Sequence, residues 1–561
     1  MPRIRRAKIV ATLGPASSSV ERICELIMAG VNVARINMSH GTHEGHAQTV
    51  SNIRAASKKT GFEIGILLDL QGPKIRVDKL AKNLILKNDE EWVIGPTKYL
   101  EKYSEYKDRY IPTIYSKLVD DCHDGARILF DDGLIMATAI MRDRDVYKIK
   151  INVGGELKSN KGINLPDCDV SAPSFTDKDK EDLMFGLKQG IDFVALSFVR
   201  KKEDILQVKY ILHGLRASVP IIAKIEKPQA INNLEEILRV ADVIMVARGD
   251  MGVELGNHLV PSAQKKIISA CNLKGVPVIT ATQMLESMIQ NPGPTRAEAS
   301  DVANAIWDGT DAVMLSAETA SGKYPVETVM MMDKIIFEAE ASPRDRPLLR
   351  NTDLSSISSS IMVSASIIAE KTGAKGIISV TQSGNSCKKI ARFRPTARVW
   401  GVTNDIKVVR RVCLYWGVSP FHIADLGTDD GNIEAKVLID FKFRAKLVNG
   451  DKLVITKGDG KFFDKAGANS VRLVILKDPP KVLGSSEDVE MVDFKNGRIN
   501  LDTRICASCQ NCVSVCPHEI WMVKNDDSKN TTISRIRADE CAMDMACVDV
   551  CPTGAIEIIP K

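Results

Sequence analysis

The sequence predicts an α/β protein: a (β/α)8 barrel with a β-rich insertion, then a second α/β domain and a cysteine-rich tail. Three observations carry this. Short apolar runs rich in β-branched residues alternate with helical patterns over 7–69 and again over 177–342, as parallel strands covered by helices do. Those runs end in charge, amide or hydroxyl, at Arg35, Asp69, Lys224, Asp250, Thr282 and Ser316, and a barrel keeps its chemistry at the carboxyl ends of its strands. Seven of the 13 cysteines lie between Cys506 and Cys551, a crowding that points to metal.

Size and charge narrow the classes. A chain of 561 residues holds several domains, and 44% hydrophobic residues fill ordinary cores. The 76 basic and 71 acidic residues nearly balance at +5, so nucleic acid is not implied. No apolar run reaches the ~18 residues of a membrane span. The opening, Met1-Pro-Arg-Ile-Arg-Arg-Ala-Lys8, leads into a strand from Lys8 to Leu13 and does not read as a signal peptide. The other six cysteines, from Cys24 to Cys413, are scattered, which suits a reducing, cytoplasmic compartment.

In chain order, Ser17 to Ala29 is expected as a helix, with Ser17 to Ser19 as cap candidates. Val31 to Gly41 is the second strand, ending in Arg35, Asn37, Ser39 and His40, and Gly65 to Asp69 is the third. From 70 to 172, short β-like pieces and turns such as Asp131-Asp132-Gly133 predict a β-rich insertion that leaves and rejoins the barrel near its site, as a lid does. The barrel, 1–69 and 173–342, resumes through Ile191–Phe198, Ile221–Pro228, Val243–Asp250, Val276–Gln283 and Ala312–Thr319. Ser342 to Pro347 links to an α/β domain over 348–477. There a strand from Ile377 runs into the loop Thr381-Gln382-Ser383-Gly384-Asn385-Ser386, which either presents amides and hydroxyls to phosphate or simply caps a helix. Residues 478–503 read as a tether and 504–561 as the cysteine domain.

The densest chemistry lies where Ile221-Ile-Ala-Lys-Ile-Glu226 and Val243-Ile-Met-Val-Ala-Arg-Gly-Asp250 end. Lys224, Glu226 and Asp250 at adjacent strand ends suit a hard divalent cation beside a phosphate, although Lys224 and Glu226 alone also read as a rim ion pair. Six motifs in order then resemble the pyruvate kinase family over residues 5–476. They are Ala34-Arg-Ile-Asn-Met-Ser-His-Gly41, Leu68-Asp-Leu-Gln-Gly-Pro-Lys-Ile-Arg76, Ala223-Lys-Ile-Glu226, Met245-Val-Ala-Arg-Gly-Asp250, Ala281-Thr-Gln-Met-Leu-Glu-Ser-Met288 and Met314-Leu-Ser-Ala-Glu-Thr319.

The resemblance implies phosphoryl transfer from phosphoenolpyruvate to ADP, giving pyruvate and ATP, with Mg2+ or Mn2+ on Glu226 and Asp250. By the same resemblance Arg35 and Lys224 hold the phosphoryl group, and Gly249, Asp250 and Thr282 bind the substrate carboxylate. Thr282, Ser316 and Glu318 would relay the proton to the enolate, and His40, Arg76 and Lys161 would touch the nucleotide. Relatives that need K+ carry an acid where this chain has Lys74. This chain thus resembles the potassium-independent branch, with Asn37, Ser39, Asp69 and Leu70 left as the shell of the monovalent site around Lys74. The loop 381–386 matches the family's site for a sugar-phosphate effector, and family members are commonly homotetramers.

Cys506-x2-Cys509-x2-Cys512-x3-Cys516-Pro517 is the bacterial ferredoxin run, and Cys541-x2-Asp544-x2-Cys547-x3-Cys551-Pro552 repeats its spacing with Asp544 replacing a cysteine. The fourth cysteine of each run serves the other cluster in two-cluster ferredoxins. Cluster one is therefore expected on Cys506, Cys509, Cys512 and Cys551, as [4Fe-4S]. Cluster two is expected on Cys516, Cys541, Cys547 and Asp544, as [4Fe-4S] or [3Fe-4S] because a carboxylate is a harder donor. Zinc, or a domain keeping only cluster one, are the competing readings. A redox-sensing role and docking to a redox protein partner both remain open. The rival to an active kinase is an idle barrel serving as scaffold for the electron carrier, and a third reading is a phosphoenolpyruvate-binding lyase. The presence of Arg35, Lys224, Glu226 and Asp250 argues against the idle barrel, and the β-rich insertion with Thr282, Ser316 and Glu318 against the lyase.

Overall fold

Eight short parallel strands close on themselves: Lys8–Thr12, Val33–Asn37, Gly65–Asp69, Phe193–Leu196, Ile221–Ile225, Val243–Ala247, Val278–Ala281 and Ala312–Leu315, with Lys8 pairing Ala312 to seal the ring. The structure, a computed structural model, describes residues 5–342, 356–424, 447–458, 468–476, 489–495, 497–502, 512, 521–523, 531–533, 547–548, 551 and 556–560, with scattered positions between 426 and 445. Every residue of Lys8–Thr12, Gly65–Asp69 and Val243–Ala247 is buried, which is why these strands read as unbroken apolar runs. Ile36, Leu68, Val194, Ala223, Val246 and Val278 belong to one core that also takes in the covering helices.

Local chemistry sets the helix starts. Thr176 and Thr295 head capping boxes with Asp179 and Glu298. The first helix runs Val20–Ala29 and not from Ser17, because Ser17 closes a turn: its N–H donates to Gly14 O at 2.9 Å and its Oγ accepts from Gly14 N. Ser19 is the cap, accepting from Arg22 N. The second strand ends at Asn37 and not at Gly41, since Asn37 Oδ1 accepts from Ser39 N at 3.1 Å and turns the chain.

Between the third and fourth barrel strands lies a six-stranded sheet. Its order is Ile163–Asn164, Arg127–Phe130, Ile135–Asp143, Val146–Val153, Glu91–Pro96, Tyr110–Thr113, antiparallel except for the last pair. Trp92, Ile94, Ile128, Phe130 and Ile149 give it a core of its own. The Asp131-Asp132-Gly133 turn forms as the sequence predicts, with φ of 51°, 54° and 86°. All of this belongs to a unit formed by residues 1–354, 391–394 and 407–419.

The second unit is formed by 355–390, 395–406 and 420–561. Its five-stranded sheet is built on Gly376–Val380, flanked by Arg398–Thr403 and Lys452–Lys457. Residues expected to be a tether contain a hairpin instead, Val489–Phe494 and Gly497–Asp502, whose second strand pairs with Ile556–Pro560. The physical signal was the alternation of Ile499 and Leu501, both buried against their register partners Ile558 and Ile556. No helix among the described residues is long and apolar enough to cross a membrane.

Candidate active site

The carboxyl end of the barrel gathers charge around one buried amine. The Lys224 Nζ donates to Ser197 Oγ at 2.7 Å and lies 2.9 Å from Glu226 Oε1 and 3.4 Å from Asp69 Oδ1. Arg35 Nε donates to Asp69 Oδ2 at 2.7 Å and its Nη1 to Thr12 Oγ1 at 3.0 Å. Burial works against the Lys224 charge, but Asp69, Glu226 and Asp250 outweigh it and hold its pKa above the ordinary lysine value. Burial likewise opposes the Asp69 charge, and Lys224 and Arg35 reverse it, holding that carboxyl below the usual range. Glu226 goes the other way: burial pushes it up and the Asp250 charge adds to that, against Lys224.

A carboxylate poised like Glu226 suits a metal. Its Oε2 accepts from Phe198 N at 2.8 Å, while its Oε1, like Asp69 Oδ1, is buried and faces only the Lys224 ammonium among the described residues. The Asp250 carboxylate has no hydrogen bond or ion pair among the described residues. Among those residues no three His, Cys, Asp or Glu side chains are grouped to hold a metal. Glu226 and Asp250 are carboxylates that could hold a hard cation, and such a pair suits Mg2+, an ion commonly held by one or two carboxylates plus water and substrate phosphate.

Thr282 stands beside this cluster in a left-handed conformation, φ 69°, with Gln283 at 54°. Such φ values are costly for a β-branched residue and persist where surroundings impose them. Arg248 imposes them. Its guanidinium donates to Thr282 O at 2.7 Å, Gln283 O at 3.0 Å and Asp301 Oδ2 at 2.6 Å. The Gly249 N–H, expected to face a substrate carboxylate, instead donates to Thr282 Oγ1 at 2.8 Å. Glu318 is fully buried, and its two oxygens accept from Ser316 N at 2.6 Å and Leu285 N at 3.2 Å, tying the last barrel strand to the Thr282 loop. The Ser316 Oγ is buried without a hydrogen bond.

The remaining predicted residues lie further out. Lys74 is exposed, makes no side-chain hydrogen bond or ion pair among the described residues, and lines one cleft with Asp132, Phe198, Arg200, Lys227 and Asp250. Of the expected polar shell, Asp69 bonds Arg35 and faces Lys224, and Asn37 Oδ1 accepts from Ser39 N. Leu70 contributes only its carbonyl, which accepts from Ser197 Oγ at 2.8 Å; its side chain is core. Arg76 donates to Asn160 O at 2.8 Å, Lys161 pairs with Asp131 at 2.8 Å, and the exposed His40 accepts on its carbonyl from His46. In the second unit, the Thr381 hydroxyl accepts from Gly384 N at 2.9 Å, and the helix Asn385–Arg392 starts at once. In the tail, Cys512 and Cys547 are buried and Cys551 is half-buried. Cys506, Cys509, Cys516, Cys541 and Asp544 lie outside the described residues.

Two groups escaped the sequence reading, and a third was named without its role. Ser197, which bonds Lys224, resembles any strand-end polar residue, and Arg248 was read at its strand end but not as the residue that holds Thr282. Glu254, fully buried, accepts from Asn164 Nδ2 at 2.8 Å and Lys227 Nζ at 2.5 Å, so the insertion's last strand meets the segments carrying Glu226 and Asp250. Only the lone acid in the apolar stretch Met251 to Leu255 hinted at it.

Comparison with known proteins agrees with this geometry. Family models match as pyruvate kinase, barrel domain, over residues 4–329, as pyruvate kinase, alpha/beta domain, over 359–474, and as 4Fe-4S dicluster domain over 494–555. The pyruvate kinase of Geobacillus stearothermophilus is 45% identical over 462 residues, covering 81% of this chain and 78% of that protein. Pyruvate kinase 2 of Synechocystis sp. is 45% identical over 465 residues, covering 82% and 77%. The crystal structure of a pyruvate kinase from Cryptosporidium parvum superposes with a TM-score of 0.78 at 34% identity, over 84% of this chain and 96% of that one. The chain belongs to the pyruvate kinase family, enzymes that transfer a phosphoryl group between phosphoenolpyruvate and ADP, and it carries a 4Fe-4S dicluster domain at its C-terminal end.

Proposed function

We propose that Lys224, kept charged in a buried cradle, is the group that escorts the phosphoryl group from phosphoenolpyruvate to ADP. The observation that carries this is the buried amine's placement between Asp69, Glu226 and Ser197. Arg35 shares the work, since its Nε and Nη1 are used by Asp69 and Thr12 and the rest of its fork is left for a phosphoryl oxygen. Glu226 and Asp250 hold Mg2+ or Mn2+, which supplies positive charge to the transferring phosphate. Thr282, with the Gly249–Asp250 turn, orients the substrate carboxylate. Loss of the phosphoryl group leaves an enolate, and Thr282, Ser316 and Glu318 form the polar chain that returns a proton to it. Arg76, Lys161 and His40 approach the nucleotide from the insertion side.

The enzyme works without potassium: the Lys74 ammonium, unpaired in the cleft it shares with Asp250, supplies the charge a monovalent ion would bring. The barrel and its insertion, 1–342, form the catalytic part, 348–477 a regulatory domain whose 381–386 loop takes a phosphorylated effector, and the assembly is a homotetramer. Cysteines 506, 509, 512 and 551 hold one cluster, and 516, 541 and 547 with Asp544 a second. The tail senses redox state or docks a redox partner. The test is ATP formation from phosphoenolpyruvate and ADP by the purified full chain with Mg2+, in buffer free of sodium and potassium. Mg2+-dependent ATP is expected. Its absence overturns the reading, and a large rise on adding potassium removes the role given to Lys74.

A further inference from the structure

The insertion holds two cysteines that phosphoryl transfer does not use. Cys122 ends the short helix Leu118–Asp121, and Cys168 lies in the leg returning to the barrel after Ile163–Asn164. Far apart in sequence, they sit in one core, 8% and 2% exposed. Their neighbours bond directly: His123 Nε2 meets Asp167 O at 3.1 Å, and the Asp167 carboxylate takes Arg127 N at 3.0 Å and Arg127 Nη2 at 2.8 Å. Cys122 Sγ donates to His123 O at 3.9 Å, and Cys168 directly follows Asp167, so the two cysteines flank the His123–Asp167 contact. Elsewhere, Cys24 Sγ meets the Ala56 carbonyl and Cys413 Sγ the Glu63 and Val409 carbonyls.

We propose that Cys122 and Cys168 are a peroxide-responsive dithiol site, closing to a disulfide across the root of the insertion and slowing the kinase. The thiolate is the nucleophile in such chemistry, and the pair is already polarised. The Cys122 thiol, with His123 nearby, draws Cys168 below the usual thiol range against its burial, while the Cys168 thiol and burial push Cys122 up. At 8% and 2% exposed the pair is closed to bulky disulfides, so its oxidant has to be as small as hydrogen peroxide. The Cys168 thiolate attacks one oxygen of hydrogen peroxide and the O–O bond breaks. The departing hydroxide takes a proton and leaves as water, with Cys168 as sulfenic acid. Cys122 then attacks that sulfur, giving up its proton; the S–O bond breaks, a second water leaves and the S–S bond forms. Two thiols are oxidised and one peroxide becomes two waters. The link would tie the Leu118–Cys122 segment to a leg already anchored on the barrel. There the Arg200 guanidinium donates to Val170 O and Ala172 O, and Gln229 Nε2 to Cys168 O at 3.5 Å.

The experiment treats the reduced full chain with rising hydrogen peroxide until the half-buried Cys24 is oxidised, then maps peptides without reductant. A linked Cys122–Cys168 peptide is expected before Cys24 reacts. Turnover should fall at least twofold in step with it and recover with dithiothreitol. Cys122→Ser should give no link and none of that reversible slowing, which separates it from any cluster damage. Both thiols still reduced when Cys24 is oxidised, Cys168 over-oxidised without a link, or a link with turnover unchanged would each overturn the proposal.

Discussion

Lys224 keeps its charge inside the protein because Asp69, Glu226 and Asp250 face it, and Asp69 keeps its own because Lys224 and Arg35 face it. Removing one partner from such a set leaves a buried charge exposed to its own desolvation, so single substitutions here act on stability and catalysis together. Arg248 is the cleaner case, since it touches backbone. Arg248→Ala removes the donors that fix Thr282 and Gln283 at positive φ and leaves their carbonyls unpaired. We expect kcat/KM for phosphoenolpyruvate to drop about 10²-fold, with KM rising and kcat falling, because a displaced Thr282 misplaces the substrate. Arg248→Lys should not restore it, since a point charge cannot reproduce the fork. Steady-state kinetics of the two variants check this, and a change confined to thermal stability would refute the positioning role. None of this was legible beforehand: a sequence names Thr282 by its motif but does not say which side chain strains it.

At the scale of elements, the strands were readable because burial on both faces makes them continuous apolar runs, whereas their ends were not. Asn37 and Ser17 stop or delay elements through single hydrogen bonds that periodicity does not encode. The hairpin at 489–502 was missed for a related reason: charge and turn formers hid an alternation whose partner, Ile556–Pro560, lies at the far end of the tail. Two predictions belong here. Glu254→Gln leaves Lys227 buried without its acid and should cost about 3–5 kcal/mol in chemical denaturation, while weakening Mn2+ binding through the displaced Asp250 helix. Unchanged Mn2+ affinity in the folded variant would show that Glu254 is only structural. Gly376→Ala drives a methyl into the Trp400 ring and to 2.8 Å from Arg398 O, so the second unit should lose about 1–3 kcal/mol, read as a lower urea midpoint. A midpoint unchanged from the parent would contradict the packing given for that strand.

At the scale of the molecule, family membership was legible because six motifs occur in order, each at a strand end where chemistry restricts the choice of residue. The tail was legible through spacing alone. It should bind about 7–8 iron atoms with inorganic sulfide, and Asp544→Cys should raise the iron count by about one by supplying the missing thiolate. Zinc without sulfide would contradict both clusters. Iron-sulfur chemistry moves electrons, whereas phosphoryl transfer moves none. The most direct test of the central claim is the rate of pyruvate formation by Lys224→Met beside the parent chain, at saturating Mg2+ and ADP. The account predicts a fall in kcat of about 10²–10³-fold with little change in KM for phosphoenolpyruvate, as when one preorganised charge is removed from a transition state. Turnover within a few-fold of the parent, in a variant that melts normally, would contradict it.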